Sequence, residues 1–133
     1  MFKNIMQIFL LGVLVLNLMV QSGCLALAAG AAVGAGTVIW TKGKLQQDLD
    51  QNLERVYRAT KAALNQMDLP ILVDRKDDLT AKLESEFADG KRIWIDLDYI
   101  SKYNTKIGIR VGPLGDEIRS REILQKTQEN MKK

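Results

Sequence analysis

Residues 81–99 read AKLESEFADGKRIWIDLDY, and they contain the clearest strand–loop–strand pattern in the chain. Both ends of it alternate apolar and polar residues, which is typical of strands with one buried and one solvent-exposed face. Between them lies Ala88-Asp89-Gly90, for which we predict a three-residue loop with Gly90 in the left-handed conformation. A hairpin with this loop pairs Phe87 with Lys91, so that inward side chains of one strand lie beside inward side chains of the other.

The same register pairs opposite charges on the outer face of the hairpin. Glu86 lies opposite Arg92, and Lys82 lies opposite Asp96. A two-residue turn would instead place inward side chains opposite outward ones. Opposite charges on paired residues stabilise a β-ladder. The alternation of inward and outward side chains and the charges therefore both indicate the pairing of Phe87 with Lys91.

A third strand is predicted over Thr105–Val111, which alternates in the same way. The same pairing rule, applied to the turn before it, places Asp98 opposite Lys106 and Trp94 beside Arg110. Two shorter strand candidates precede the hairpin. They are Lys44–Gln47 and Ile71–Val73, the second of which ends in a charged turn, Asp74–Asp78.

Helices are predicted on both sides of these strands. Between Asp48 and Met67 apolar residues recur at spacings of three and four, which predicts a helix capped by Asp48 or Asp50 and ended before Pro70. A second helix is predicted from Asp116 to Met131, after the glycine- and proline-containing segment 112–115. This order predicts an α+β domain: a helix, an antiparallel meander of four or five strands, and a C-terminal helix packed on the sheet.

The N-terminal segment has a different character. Lys3 precedes an apolar run from Ile5 to Val20, and Ser22-Gly23 then leads to Cys24, the only cysteine. Positive charge, apolar run and small residues in this order are typical of an export signal. A small-residue pair before a lone cysteine resembles the lipobox of bacterial lipoproteins, which implies cleavage before Cys24 and acylation of its new N-terminus. An uncleaved anchor over residues 5–39 is the alternative.

Residues 25–40 are almost wholly apolar or small. They are too apolar for an ordinary flexible linker and shorter than the ~20 residues that a spanning helix needs. We favour a tether between the lipid and the domain; a segment that packs at the membrane through Gly30 and Gly34 is the alternative, and Trp40 suits a membrane interface in either arrangement. The predicted division is a signal over 1–23, a lipidated Cys24 with its tether over 24–43, and the α+β domain over 44–133.

Composition excludes several kinds of function. The 133 residues carry a formal charge of +3, but 19 basic and 16 acidic residues are interspersed, so we expect no nucleic-acid binding. The chain has no histidine, the commonest general base and metal ligand. With Cys24 assigned to lipid, the usual ligands of zinc and iron–sulfur clusters are missing as well. We therefore expect no metal, no other cofactor and no enzymatic activity.

Two constellations on the outer sheet face are candidate sites. Asp96 and Asp98 point the same way from one strand, and paired carboxylates can perform acid–base chemistry, but the register gives each a lysine partner. A hydrolase that uses Asp96 and Asp98 is therefore the least favoured alternative. Trp94 beside Arg110 is the candidate contact surface, because exposed tryptophan often marks one. The alternative is that a helix or the segment 25–40 covers Trp94.

The whole chain also resembles a known family. The features that carry the resemblance are the lipobox, the Gly/Ala-rich stretch ending at Trp40, Lys42-Gly43, Ala59-Thr60, and RVGPLGDE at Arg110–Glu117. They are similar to those of a family of small bacterial lipoproteins, mostly Gram-negative, classed as a domain of unknown function. The resemblance implies acylation of Cys24 but no catalytic residue. Since Leu25 stands where inner-membrane lipoproteins carry aspartate, it also implies the periplasmic face of the outer membrane.

These observations predict a membrane-anchored, non-enzymatic binding or structural module of the cell envelope, whose partner is an envelope protein or lipid. The alternative is a carrier of a lipid or small apolar ligand, held in a groove between the sheet and the C-terminal helix. That helix has a broad, broken apolar stripe, which favours loose packing. The sequence makes no prediction of oligomeric state.

Overall fold

The computed structural model describes residues 1–20 and 37–133, with the side chains of residues 1–11 and 37–133. The chain divides into two units, Met1–Val33 and Gly34–Lys133. The first contains helix α1, Phe2–Val20, which covers most of the predicted export signal. Among the described residues, no helix is both long enough and apolar enough to cross a membrane. Cys24 and the tether up to residue 36 lie outside the described residues, so cleavage and acylation stay predictions.

The second unit is an α+β domain with a six-stranded antiparallel sheet, which confirms the predicted class with more strands than expected. In chain order its elements are β1 Ile39–Thr41, β2 Lys44–Leu49, α2 Leu53–Gln66, β3 Val73–Lys76, β4 Thr80–Glu86, β5 Arg92–Ser101, β6 Asn104–Val111 and α3 Glu117–Met131. The strands lie in the order β1-β2-β6-β5-β4-β3. The chain therefore forms a β1–β2 hairpin and a four-stranded meander from β3 to β6, and β2 joins the two by pairing with β6.

The additional strand, β1, comes from the segment assigned to the tether. Lys42 and Gly43 both have positive φ, 52° and 77°, as the two-residue turn of a tight hairpin requires. This turn pairs Trp40 with Leu45, and the half-buried indole packs against the core. The sheet thus begins before the predicted boundary at residue 44, and Trp40 packs against the domain core, while its place at a membrane interface stays a prediction.

The register predicted for the central hairpins is confirmed. Glu86 pairs with Arg92 and Lys82 with Asp96. The loop is closed by hydrogen bonds from the Phe87 amide to the Lys91 carbonyl and from the Gly90 amide to the Phe87 carbonyl, both 2.9 Å, and Gly90 has φ 86°. In the next hairpin Trp94 pairs with Arg110 and Asp98 with Lys106.

The predicted start of the first helix was wrong. Residues 44–49 form β2, on which alternate residues including Leu45 and Leu49 are buried. Leu49 lies four residues before Leu53, which imitated the helical spacing. Helix α2 begins only after Asn52, whose side-chain oxygen accepts a hydrogen bond of 2.8 Å from the Arg55 amide.

The strand predicted at Ile71–Val73 lies later in the chain, at Val73–Lys76. Charged residues that were assigned to a solvated turn therefore belong to the edge strand β3. Charges on an edge strand discourage pairing with another chain, which explains why so polar a segment occupies this place.

Both domain helices pack on the same face of the sheet. Helix α2 contacts β4 and β5, and α3 contacts β2 and β6. Ile123 and Leu124 of α3 are 0% and 4% exposed and join one continuous core with the sheet. At these residues the space between α3 and the sheet is thus filled with side chains, which gives the carrier alternative no support. The outer face of the sheet carries the remaining candidate residues.

Candidate interaction site

Trp94 lies near the centre of the outer sheet face. It is half-buried on β5, between Glu84 on β4 and Arg110 on β6. Helices α2 and α3 lie on the opposite face, so neither covers the indole. Of the segment 25–40, the structure describes only residues 37–40, and Trp40 faces the core. The sequence-based pairing of Trp94 with Arg110 is therefore correct, while the contact role of these residues stays a prediction.

Asp96 is held by a lysine that sequence analysis did not assign to it. The Lys44 ammonium on β2 donates to Asp96 Oδ2 at 2.7 Å, whereas Lys82, the predicted partner, lies 3.8 Å from Oδ1. Lys44 crosses β6 over Gly108, where an added Cβ would overlap the lysine Cε. An outward-facing glycine within a predicted strand is the sequence signal for such a close approach.

The Arg110 guanidinium is positioned by the β1–β2 turn. Its Nη2 donates to the Lys42 carbonyl at 2.6 Å. Its Nε atom is buried and has no hydrogen-bond partner within the described residues. Because one hydrogen bond joins the guanidinium to the turn backbone, Arg110 stays beside Trp94 instead of extending into solvent.

Two glycines bring the β1–β2 turn against the loop that follows β6. A Cβ on Gly43 would lie 2.6 Å from the Leu114 carbonyl oxygen, and one on Gly115 would lie 2.5 Å from the Gly43 Cα. Both glycines also have positive φ, 77° and 81°. This contact fixes the loop that carries Pro113 at one end of the outer face and leaves Leu114 92% exposed beside it.

These elements enclose an open groove of about 450 Å³, which we call the Trp94 groove; its lining residues are Lys44, Lys82, Trp94, Asp96, Arg110 and Pro113. Three cationic side chains and one carboxylate line it, so it carries an excess of positive charge. Tryptophan and arginine at the centre of a concave surface are typical of residues that dominate binding energy. The groove therefore favours a ligand that combines an apolar surface with negative charge.

The candidate carboxylates do not converge on a common cavity. Asp96 lines the groove and is occupied by Lys44, whereas Asp98 is exposed outside it, opposite Lys106 and Thr80. Ser120 is buried, and its hydroxyl donates to the Asp116 carbonyl at 2.7 Å. Within the described residues, no three side chains of histidine, cysteine, aspartate or glutamate lie close enough together to hold a metal ion.

A second polar cluster, which sequence analysis missed, joins α2 to β3. Tyr57 Oη donates to Asp74 Oδ1 at 2.5 Å, and Lys61 Nζ donates to Oδ2 at 2.6 Å. The hydrogen bond from Lys61, with that from Tyr57, lowers the pKa of Asp74. The hydrogen bond to Asp74 raises the pKa of Tyr57. Both hydrogen bonds run from α2 to Asp74, so the cluster holds the edge strand β3 against the helix.

A third cluster joins α3 to the β4–β5 loop. The Arg119 guanidinium lies 4.6 Å from the centre of the Phe87 ring and donates to Asp89 Oδ2 at 2.8 Å. The hydrogen bond from Arg119 is the main cause of the lowered pKa of Asp89. Like the Tyr57 cluster, it fastens a sheet element to a helix, so the Trp94 groove remains the candidate site.

Comparison with known proteins reveals the family but no function. None of the curated proteins of known function matches the chain. A family model described as "Protein of unknown function (DUF3568)" matches residues 4–130, which include most of α1, the whole sheet and almost all of α3. The chain therefore belongs to the DUF3568 family of proteins of unknown function.

Proposed function

We propose that this protein is a lipid-anchored, non-enzymatic binding module of the cell envelope. Acylated Cys24 holds it at the periplasmic face of the outer membrane, and the Trp94 groove binds an acidic segment of an envelope protein. The groove itself is the observation that carries the binding role. The anchor rests on the order of Lys3, the apolar run and Ser22-Gly23-Cys24 in the sequence.

The groove has the properties that a peptide-binding surface needs. Trp94 offers a rigid apolar plane at low entropic cost, and Arg110 beside it offers a donor for carboxylates. Lys44 and Lys82 share the single carboxylate of Asp96. A partner carboxylate would therefore meet uncompensated positive charge, which favours acidic segments over basic ones and speeds their association.

The residue content of the chain supports a non-enzymatic role. The chain contains no histidine and only one cysteine. Asp96 is occupied by Lys44, and Asp98 lies apart from it. The carrier alternative has no support from the region between α3 and the sheet, which is filled with side chains.

Site-specific photocrosslinking in cells tests the binding role. A photoreactive residue at Leu114, at the rim of the groove, should crosslink to a protein, and Lys82→Glu in the same chain should weaken that crosslink. Lys82 is suited to this test because its side chain is 57% exposed, so charge reversal leaves the core intact. Lys132→Glu, the same charge change at the exposed end of α3, is the matched control and should leave the crosslink unchanged. Equal effects of both substitutions, or no adduct at Leu114, would contradict the proposal.

Intact mass spectrometry of the membrane-extracted protein tests the anchor separately. The wild-type mass should lack residues 1–23 and include a diacylglycerol, and Cys24→Ser should lose the addition. The acylated protein should be released from membranes by detergent and not by high salt, because two or more acyl chains hold stably whereas one binds only marginally. A full-length, unmodified mass in both proteins would point to an uncleaved anchor over residues 5–39.

A further inference from the structure

Large apolar side chains are exposed together at one end of the sheet. The tip cluster consists of Leu79, Tyr99, Ile100 and Tyr103, which are 60%, 43%, 46% and 69% exposed. Leu79 lies in the β3–β4 turn, Tyr99 and Ile100 lie at the end of β5, and Tyr103 lies in the β5–β6 turn. The Tyr99 amide donates a hydrogen bond of 2.8 Å to the Leu79 carbonyl and so joins the two turns. Exposed apolar residues are common singly, but a contiguous group marks a contact surface.

The turns hold the tip cluster outward by specific backbone geometry. In the β3–β4 turn, Asp77 Oδ1 accepts hydrogen bonds of 2.9 Å from the amides of both Leu79 and Thr80. The hydrogen bond from Leu79 is the first cause of the lowered pKa of Asp77. In the β5–β6 hairpin the register shifts between Tyr99 and Ser101, so the ladder is irregular at Ile100. Such irregularities redirect a side chain relative to the strand.

The chain enters the domain from the same end of the sheet. Leu49, at the end of β2, pairs with Thr105, which in turn pairs with Tyr99 of the tip cluster. Ile39, at the start of β1, pairs with Gln46 of β2. Because β1 is antiparallel to β2, β1 begins at its end nearer the tip cluster. Any membrane attachment on the N-terminal side is thus connected at this end. An extended chain from Cys24 to Ile39 reaches at most ~50 Å, which sets an upper limit on the distance between the domain and an attachment point at Cys24.

We propose that the tip cluster rests on the lipid bilayer, at its polar–apolar boundary, and that it orients the domain on the membrane. The inference rests on the membrane anchor of the proposed function. Tyrosine is favoured at this boundary, where the ring contacts apolar chains and the hydroxyl stays hydrated. Lys102, whose ammonium lies 5.3 Å from the centre of the Tyr103 ring, can extend toward headgroups while its methylenes remain apolar.

Charge indicates which lipids are required. Asp78 and Asp98 lie at this end of the sheet together with Lys102 and Lys106, so the surface has no excess positive charge. Binding should therefore depend on apolar insertion and work on zwitterionic phosphatidylethanolamine and phosphatidylcholine. The Trp94 groove extends to Pro113, which follows β6 at the opposite end of the sheet. In this orientation that end of the groove lies away from the bilayer, where an envelope protein can reach it.

Tryptophan quenching by brominated lipid tests the orientation with the full chain in vesicles of phosphatidylethanolamine and brominated phosphatidylcholine. Tyr103→Trp places a reporter in the tip cluster, and Leu114→Trp places the control reporter at the opposite end of the sheet. Trp40 and Trp94 provide the same background in both proteins. The added emission of Tyr103→Trp should be strongly quenched and that of Leu114→Trp hardly at all. Adding Leu79→Ser and Ile100→Ser to Tyr103→Trp should abolish the quenching.

Equal quenching of the two reporters, or stronger quenching at residue 114, would overturn the proposed orientation. A blue-shifted but unquenched Tyr103→Trp would identify a second copy of the chain as the occupant, which also overturns it. Lys82→Glu should leave lipid quenching unchanged, so failure of the groove to bind a protein is distinguishable from failure of the tip to contact lipid. Mass spectrometry reports the acyl anchor independently of both.

Discussion

Lys44 on β2 reaches Asp96 on β5 across an intervening strand, with its Nζ 2.7 Å from Oδ2. The strand between them, β6, contributes only Gly108 at the crossing point, and the lysine side chain covers this glycine. A single ion pair therefore connects β2 to β5 across β6, on the face that carries the Trp94 groove. It also leaves Asp96 less able to neutralise the other cations of the groove.

Replacing Gly108 with alanine should break this ion pair at little cost in stability. The new Cβ would overlap Lys44 Cε, but a lysine end can swing into solvent. Both partners have side chains about a third exposed, 32% and 30%, so the pair contributes up to about 1 kcal/mol. The lower chain entropy of unfolded alanine offsets part of that loss.

Urea unfolding of Gly108→Ala, Lys44→Met and the double variant measures this coupling. The double variant should be no less stable than Lys44→Met, because the ion pair is already absent. Additive losses from the two substitutions would mean that Gly108 is required for a reason other than passage of the lysine.

Gly115→Ala should destabilise the domain more than Gly90→Ala does. Both glycines have positive φ, 81° and 86°, so both alanines bear the left-handed strain of roughly 1–2 kcal/mol. A Cβ at Gly90 would meet nothing within 4 Å, whereas one at Gly115 would collide with the Gly43 backbone. Because both variants share the backbone strain, the difference between their melting temperatures measures the cost of the collision with Gly43. Equal melting temperatures would refute the close contact.

Asn52→Ala should cost about 1 kcal/mol in the free energy of unfolding, because it leaves the Arg55 amide without its side-chain acceptor. Alanine at Asp50, one of the two caps that the sequence suggested, should cost less, since that residue precedes the cap position. Denaturant titration of both variants decides between them. A larger loss at Asp50 would place the functional cap where the sequence analysis first put it.

Sequence reasoning succeeded where neighbouring strands are joined by short turns. The loop at Gly90 left only one register in which buried faces and opposite charges both matched, and the same rule applied to the next turn placed Trp94 beside Arg110 on the neighbouring strand. It placed the end of β2 and the start of α2 wrongly, because the spacing from Leu49 to Leu53 fits a helix as well as the end of a strand followed by a helix. Asn52, a residue type strongly favoured at helix N-caps, was the signal that could have indicated a helix start at Leu53 and a strand before it.

The contacts that complete the candidate site are nonlocal, which is why they escaped prediction. Lys44 reaches Asp96 only because β2 pairs with β6, and no turn connects those strands. Tyr57 and Lys61 meet Asp74 only because α2 packs above the sheet edge. Patterns within one segment report which face is buried, but they do not identify the element that covers it.

The Tyr57 cluster predicts part of the acid sensitivity of the domain. The pKa of Asp74 is lowered in the folded state, chiefly by the hydrogen bond from Lys61 and next by that from Tyr57. A carboxyl with a lowered folded pKa stabilises the protein above its unfolded pKa of about 3.9, and this contribution disappears as the pH falls through the folded value. Wild-type stability should therefore decline below about pH 4, and Asp74→Asn should decline less steeply.

Tyr57→Phe provides the matched control for this pH dependence, since it removes one donor to Asp74 but keeps the aromatic ring on which Lys61 lies, 5.0 Å from the centroid. Its acid loss should fall between those of wild type and Asp74→Asn. Urea midpoints measured at neutral pH and at several acidic values test the order of the three proteins. If Asp74→Asn loses stability as steeply as wild type, the acid sensitivity arises from other carboxyls with a lowered pKa. Asp89, which accepts a hydrogen bond from Arg119, is then the next residue to replace.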